Sequence, residues 1–350
     1  MNMEVVEPII NFQKIKYDKF SELLHSENIT KGNRFNIFIN VETILDYFYK
    51  EQIIAAMNSL KSKENIILVS EFINLIAHYR HYFYSRYGAR SRFFIYHLNR
   101  KVTNSKSDYM SDLLIKYDIE NVKSGTMNDI MITNMKLVEN ICFYLPKIYF
   151  VNSNGVEPSL IPYYILTNYC KKEDYNLIIS RDYYDYQLTD FKNTFMLTAS
   201  GKRSKIYNKK NVLEKKIKGF EEKYPELKSR HIPYIISLCG LKNRNIERVD
   251  KFTFSKACKL LHSIHKDILN SKDDRLIQLA IEDKIEDSKL FRYNLNLSLL
   301  SRMYDNLNYV DNELITKNLI DLKDINTLRN LNAMYFVNNN IHLEELFEGI

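Results

Sequence analysis

Five short apolar runs constrain this chain more than any other feature. They are Phe35-Asn36-Ile37-Phe38-Ile39, Asn65-Ile66-Ile67-Leu68-Val69, Arg92-Phe93-Phe94-Ile95-Tyr96, Lys147-Ile148-Tyr149-Phe150-Val151 and Leu177-Ile178-Ile179-Ser180. Each has the length of a strand buried on both faces. Helix-spaced apolar residues follow the first run (Ile44, Leu45, Phe48, Ile53, Ile54) and the second (Phe72, Leu75, Ile76). Strand-like runs alternating with helical patterns predict βαβ units, a parallel sheet and right-handed crossovers. Composition points the same way. With only 8 Gly and 6 Pro in 350 residues, the chain lacks the tight-turn residues that a β-sandwich or propeller needs.

After residue 225 the strand-like runs nearly stop. Apolar spacing over 255–268 and 285–303 is helical, and only Met334-Tyr335-Phe336-Val337 suggests a late strand or buried helix turn. The length suits about two domains. The simplest division is an α/β domain over residues 1–225 and a mainly helical one over 226–350.

The formal net charge of +7 is concentrated. Gly201 to Arg230 carries nine Lys and two Arg against four Glu, so this stretch has the net charge of the whole chain. It reads either as a solvated basic helix or loop, or as an electrostatic footprint for nucleic-acid phosphates. The four cysteines, Cys142, Cys170, Cys239 and Cys258, form no C-x-x-C pair, which fits buried free thiols in a reducing compartment better than structural zinc. No run of 18 apolar residues occurs, and Met1 to Tyr17 lacks the apolar core of a cleavable signal. The expectation is therefore a cytoplasmic protein without a membrane partner.

In open α/β sheets, ligands lie beyond the carboxyl ends of the strands, and there the sequence takes on a family likeness. Ser180-Arg181-Asp182-Tyr183-Tyr184-Asp185-Tyr186-Gln187-Leu188 resembles the Ser-Gly-Asp-x-Asp-x-x-Gln-Leu motif of 5′–3′ exonucleases and flap endonucleases. Gly155-Val156-Glu157-Pro158-Ser159 resembles their Gly-x-Glu-Ala-Asp motif. Gly240 to Leu261 aligns without gaps to their Gly-Asp-x-x-Asp-Asn-Ile-x-Gly-Val-x-Gly-Ile-Gly-x-x-Thr-Ala-x-x-Leu-Leu pattern, matching at Gly240, Asn245, Ile246, Val249, Ala257, Leu260 and Leu261. The resemblance covers residues 35–265. It implies a PIN-like fold: a mostly parallel sheet flanked by helices, then a helical C-terminal region with a helix–three-turn–helix-like element.

The resemblance implies a cluster of carboxylates holding two divalent metals, and here this chain departs from the pattern. Asn40 stands where the first strand should end in Asp, and Tyr96 or His97 where a later strand should carry another. Ser159, Leu160, Tyr184, Leu241 and Arg244 replace further acids. Only Glu157 and Asp182 remain as residual catalytic and metal candidates, with Asp185 or Glu42 as substitutes after a local shift. Two carboxylates suit one hydrated ion better than a two-metal mechanism. Arg248, Lys251 and Thr253 also stand where the resemblance expects glycines that let backbone amides approach a phosphate.

The function expected is therefore a non-catalytic nucleic-acid-binding protein derived from a 5′ nuclease, with no cofactor. Abundant Asn, Ile, Lys and Tyr with no Trp look like the coding bias of an AT-rich genome; with the resemblance, the expected source is a phage or other virus with such a genome, and the expected role a subunit of a replication, transcription or virion assembly. DNA is the expected partner, with RNA or assembly proteins as alternatives. Phosphate contacts are assigned to Lys202, Arg203, Lys205, Lys209, Lys210, Lys242, Arg244, Arg248 and Lys251. One alternative is a metal-dependent 5′–3′ exonuclease or flap endonuclease using Mg²⁺ or Mn²⁺ at a reduced site. A second is a purely structural interaction subunit.

Other features read more plainly. The His78 to Tyr87 stretch interleaves aromatics with cations. It suits base stacking, but a helix whose rings pack on the sheet while Arg and His stay wet is preferred. His78/His81 and His262/His265 are spaced three apart without a third ligand pattern, which favours surface histidines over zinc. Lys101 to Ser124 occupies the place of the family's threading arch, with Arg100, Lys101, Lys106, Lys116 and Lys123 as its cations, or is a plain surface connection. The absence of a Gly-rich phosphate loop disfavours a mononucleotide enzyme.

Overall fold

The computed structural model describes residues 34–40, 64–99, 139, 142, 145, 147–154, 160–180, 184–198, 205–209, 211–241 and 246–305. Among the described residues, six strands form one sheet: β1 (Arg34–Asn40), β2 (Arg90–Asn99), β3 (Ile148–Asn154), β4 (Tyr175–Ile179), β5 (Thr194–Thr198) and β6 (Lys205–Tyr207). Their order is β3-β2-β1-β4-β5-β6, and β1 pairs in parallel with both β2 and β4, as β2 does with β3. The parallel sheet expected from the apolar runs is present. Phe35, Ile37, Phe38 and Ile39 are all buried, as befits a central strand covered on both faces.

One expected strand is replaced by helix. Residues 65–69 open helix α1 (Glu64–Tyr87), an uninterrupted 24-residue helix. A five-residue apolar run reads equally as a buried strand or as part of a buried helix, and only the continuation to Tyr87 decides between them. Gly88, at φ +57, ends α1 with its N–H on the Tyr84 carbonyl at 2.8 Å.

The aromatic stretch of α1 behaves only in part as expected. Tyr79, Tyr82, Phe83 and Tyr87 are buried, and Phe83 stacks on Phe35 at 4.1 Å. Arg80, however, is fully buried over the Phe93 ring at 5.4 Å, and burial lowers its pKa to about 10. His78 is also largely buried, its pKa lowered to about 4 by desolvation and then by His81. The cations do not all stay wet, because an α-helix carries residues 79, 80 and 83 on one face.

The other face of the sheet stacks Phe38, Phe94 and Tyr149, with centroids 5.0 and 5.3 Å apart. Near the amino ends of the strands this face carries a polar network. Asp174 accepts from Asn36 Nδ2 (3.2 Å), the Lys171 N–H (3.3 Å) and Arg92 (3.4 Å). Asn36 Nδ2 also donates to Asn176 at 2.8 Å, and Arg92 donates to Asn36 Oδ1 and to the Tyr169 carbonyl at 3.1 Å. The network fastens the turn after helix α2 (Leu160–Asn168) to β1, β2 and β4.

Two compact units divide the chain. The first contains β1 to β4, and the second contains residues 184–196 and 207–305. Helices of the second unit are α3 (Phe220–Lys223), α4 (Ile232–Cys239), α5 (Phe254–His262), α6 (Lys266–Leu269), α7 (Asp274–Glu282) and α8 (Asp287–Asp305). The helical spacing over 255–268 and 285–303 is realised in α5, α6 and α8. Helix α7 goes beyond that expectation. It buries Ile277 and Ile281 and starts at Asp273, whose carboxylate accepts from the Arg275 N–H at 3.0 Å. Residues 332–338, 44–54 and 101–124 lie outside the described residues.

The basic stretch 201–230 forms no continuous helix. It contains 3-10 turns at Val212–Lys215 and Ser229–His231 around α3, pinned by buried Val212, Leu213, Phe220, Tyr224 and Leu227. Fully buried His231 accepts the Lys228 N–H on Nδ1 at 2.9 Å, so its Nε2 carries the proton and donates to the Leu269 carbonyl at 3.0 Å. Burial pushes its pKa down to about 4. The unfolded chain, with His near 6.5, therefore binds more protons across this window. Stability is complete above pH 6.5 and is lost as pH falls toward 4. From pH 7 to pH 5, His231 alone is expected to remove about 2 kcal/mol. Urea melts of wild type and His231→Gln test this; an equally steep pH dependence in the variant would refute the assignment.

Candidate functional site

The strand register defines the carboxyl edge of the sheet. Asn40 pairs with Tyr96, Tyr96 with Val151, and His97 with Asn152, while Ser180 directly follows β4. Asn40, Tyr96 and Ser180 are buried. Asn40, where the resemblance expects an acid, therefore meets on the adjacent strand Tyr96, which with His97 is one of the two residues that stand for the next. Asn40 and Tyr96 carry a carboxamide and a phenol, neither of which supplies the negative charge that hard divalent cations draw from carboxylates. These two positions do not fit a two-metal centre. Glu157 and Asp182 lie outside the described residues. Asp185 lies in the first turn of the 3-10 segment Tyr184–Asp190 and is fully buried there, together with Tyr186, Leu188 and Thr189. Among the described residues, no three His, Cys, Asp or Glu side chains gather as a metal site.

The best-defined element with cations at its surface is a helix–turn–helix formed by α4 and α5. Pro233 in the first turn favours the start of α4, and Ile232 to Leu238 are all buried. Gly240, at φ +73, ends the helix. Leu241 and Ile246 then exchange backbone hydrogen bonds of 2.9 and 3.1 Å, and the Val249 N–H returns to the Leu238 carbonyl at 2.9 Å. A second turn closes when the Phe252 N–H meets the Val249 carbonyl at 3.1 Å. Its third residue, Lys251, adopts φ +62, a left-handed conformation that favours glycine. Thr253 caps α5 by accepting the Lys256 N–H at 3.3 Å. From α8, buried Asn296 donates to the carbonyls of Ser237 (2.8 Å) and Glu247 (2.6 Å), tying helix and loop together.

This element exposes Arg248, Lys251, Lys256 and Lys259. Lys251 lies 3.8 Å from its neighbour Asp250 with both side chains well exposed, an arrangement of little energetic consequence. Sequence reading anticipated Arg248 and Lys251 but missed Lys256 and Lys259, whose i,i+3 spacing beside buried Ala257 and Cys258 was the available signal. Lys209 is exposed too. Lys202, Arg203, Lys210, Lys242 and Arg244 lie outside the described residues, and Lys205 belongs to β6.

Several other cations have structural partners. Arg230 donates to the Ser271 carbonyl and lies 3.6 Å from Asp274, and Lys228 Nζ donates to Asn270 at 3.1 Å. Glu226 accepts from Lys266 at 3.0 Å and lies 2.9 Å from His262 Nδ1. His265 is exposed and bonds its own helix start, with Nδ1 accepting the Asp267 N–H. The four cysteines are free thiols, and burial pushes Cys170 up to about 12 and Cys239 to about 11.

No protein-family model and no curated protein matches the sequence. Among solved structures, the chain is similar to a flap endonuclease of bacteriophage T5, determined as a pseudo-enzyme–product complex with DNA and metal ions. Identity is 15%, covering 85% of this chain and 100% of that one, with a TM-score of 0.52. A second T5 structure, co-crystallised with metal ions, matches at 15% identity over 83% of this chain and 99% of that one, with a TM-score of 0.51. This is the flap endonuclease fold. The fold class expected from the motifs is thereby borne out, with its mostly parallel sheet and flanking helices. No helix among the described residues is long and apolar enough to cross a membrane.

Proposed function

We propose that this chain is a nucleic-acid-binding protein that has kept the 5′ nuclease fold without its cutting chemistry. The α4–turn–α5 element carries the proposal: a rigid turn, pinned by Gly240 and Asn296, from which Arg248, Lys251, Lys256 and Lys259 face solvent. Cations on such a scaffold suit phosphate backbones, which position a duplex or strand without reading its bases. The DNA complex of the T5 flap endonuclease supports DNA as the partner. Neutral Asn40 and Tyr96 at the carboxyl edge support loss of metal chemistry, because a two-metal displacement depends on carboxylate charge. A phage or viral source, with a place in a replication, transcription or virion assembly in the host cytoplasm, is part of the same reading. It is supported by the phage origin of the similar structures.

The test measures binding of labelled duplex and flapped DNA between about 50 and 250 mM salt, the range over which phosphate binding responds most. Affinity is expected to fall steeply with salt. Changing Arg248, Lys251, Lys256 and Lys259 together to Gln should lower the log–log slope by about 3.6, at roughly 0.9 for each phosphate no longer neutralised. No binding at the lowest salt would overturn the reading. A parallel incubation with Mg²⁺ or Mn²⁺ is expected to leave the substrates intact; metal-dependent cleavage abolished by Asp182→Ala would establish a nuclease instead.

A further inference from the structure

The amino edge of the sheet lies at the opposite ends of the strands from the nuclease motifs, and it carries a row of cations that the proposed function does not use. Arg34 opens β1 and is paired in register with Arg90, which opens β2. Lys147, at φ +59, directly precedes β3 and passes its carbonyl to the Phe93 N–H at 2.9 Å. Lys171 lies in the turn before β4, and Arg86 in the last turn of α1. Arg86, Arg90, Lys147 and Lys171 are exposed and Arg34 is half-buried. Adjacent strands lie about 4.8 Å apart, so the row crosses four strands in about 14 Å.

Among the described residues, compensating acid is scarce at this edge. Asp174 is committed to Arg92, Asn36 and the Lys171 N–H, which leaves Glu173 as the exposed carboxylate of that turn. Arg86 suits the negative end of the α1 dipole, but the other four cations have no such reason to be there. Arg34 and Arg90 are register partners on adjacent parallel strands, so the pairing brings two of these cations side by side at the edge. A nucleic acid fits the row, since a duplex presents one negative charge per roughly 1.7 Å of its axis.

We infer that the amino edge of this sheet, through Arg34, Arg86, Arg90, Lys147 and Lys171, is a second nucleic-acid-binding surface that holds a phosphate backbone without sequence preference. The inference rests on the nucleic-acid binding proposed above, but it concerns separate residues and can fail separately. It gives the first unit a phosphate contact of its own.

The experiment compares three full-length proteins with short single-stranded and duplex DNA by fluorescence anisotropy across about 50–250 mM salt. They are wild type, the Arg248/Lys251/Lys256/Lys259 variant, and an edge variant carrying Arg86→Gln, Arg90→Gln, Lys147→Asn and Lys171→Gln. The edge variant is expected to lose about 3 units of salt slope, and the first variant to retain measurable binding. Saturation should fall from two DNA molecules per wild-type chain to one in either variant. Urea melts of the edge variant are expected to match wild type, which reports folding independently of binding.

Wild-type slope and stoichiometry in the edge variant would overturn this inference and leave the proposed function standing. So would complete loss of binding in the α5 variant. No DNA binding by the wild type would overturn both. Unchanged DNA binding together with lost affinity for polyglutamate would assign the row to an acidic protein surface instead.

Discussion

Gly240→Ala is expected to destabilise the second unit by about 4 kcal/mol and to abolish with it the DNA contacts proposed for the α4–turn–α5 element. A Cβ at this position would sit 2.7 Å from both the Ile246 carbonyl oxygen and the Arg248 nitrogen, and 3.0 Å from the Arg248 Cα. All three atoms are backbone, so no rotamer change relieves the clash. They belong to the loop held by the Leu241–Ile246 pair and the Val249–Leu238 bond, which would have to open. The φ of +73 with ψ of 167 is moreover a region occupied essentially by glycine alone, which adds about 1–3 kcal/mol. Effects of this size arise from few mechanisms, and steric conflict with fixed backbone is among them. Urea unfolding followed by tyrosine fluorescence and by DNA anisotropy measures both consequences. An Ala variant within about 0.5 kcal/mol of wild type, the usual scatter of surface substitutions, would mean that the loop is not held as described.

Asp174→Ala is expected to destabilise the first unit by about 3 kcal/mol. The carboxylate is nearly inaccessible and accepts hydrogen bonds from three groups, one of them the guanidinium of Arg92. Its removal leaves Arg92 only 17% exposed without its counter-ion, and breaking one side of a buried pair typically costs about 3–5 kcal/mol. Asn36 keeps Asn176 as a partner, which places the expected cost at the low end of that range. The double variant Arg92→Leu/Asp174→Leu discriminates between charge and shape. If the penalty is an uncompensated charge, the double variant should be more stable than Asp174→Ala. A double variant less stable than either single change would show that the network acts by fixing the α2–β4 turn.

Four of the six strands could be read from local sequence because a strand buried on both faces needs a continuous apolar run. β1, β2, β3 and β4 all have one, as the buried Ile37, Phe93, Ile148 and Leu177 show. The same criterion misread residues 65–69, since a buried helix start satisfies it equally. β5 and β6, of five and three residues, carried too little pattern to register. In the second unit, Gly240 was legible as a motif glycine. Its reason, the close approach of residues 246 and 248, was not, because that contact exists only once the turn has folded. Arg80 and His78 were expected at the surface by residue type, and the face of α1 that meets the sheet overruled type.

By itself, then, the sequence determined the α/β class, the order of the nuclease-like motifs and the residues, Asn40, Tyr96 or His97, and Arg244, that stand where the resemblance expects acids. These properties are carried by residue identity and short-range periodicity, which survive without any knowledge of packing. Only the tertiary structure decided which charges share a surface. Register placed Arg34 beside Arg90, and the turn before β4 added Lys171, although these residues are scattered from position 34 to position 171 of the chain. Strand pairing converts large sequence separations into spacings of about 4.8 Å, and no local pattern encodes which partner a strand will take.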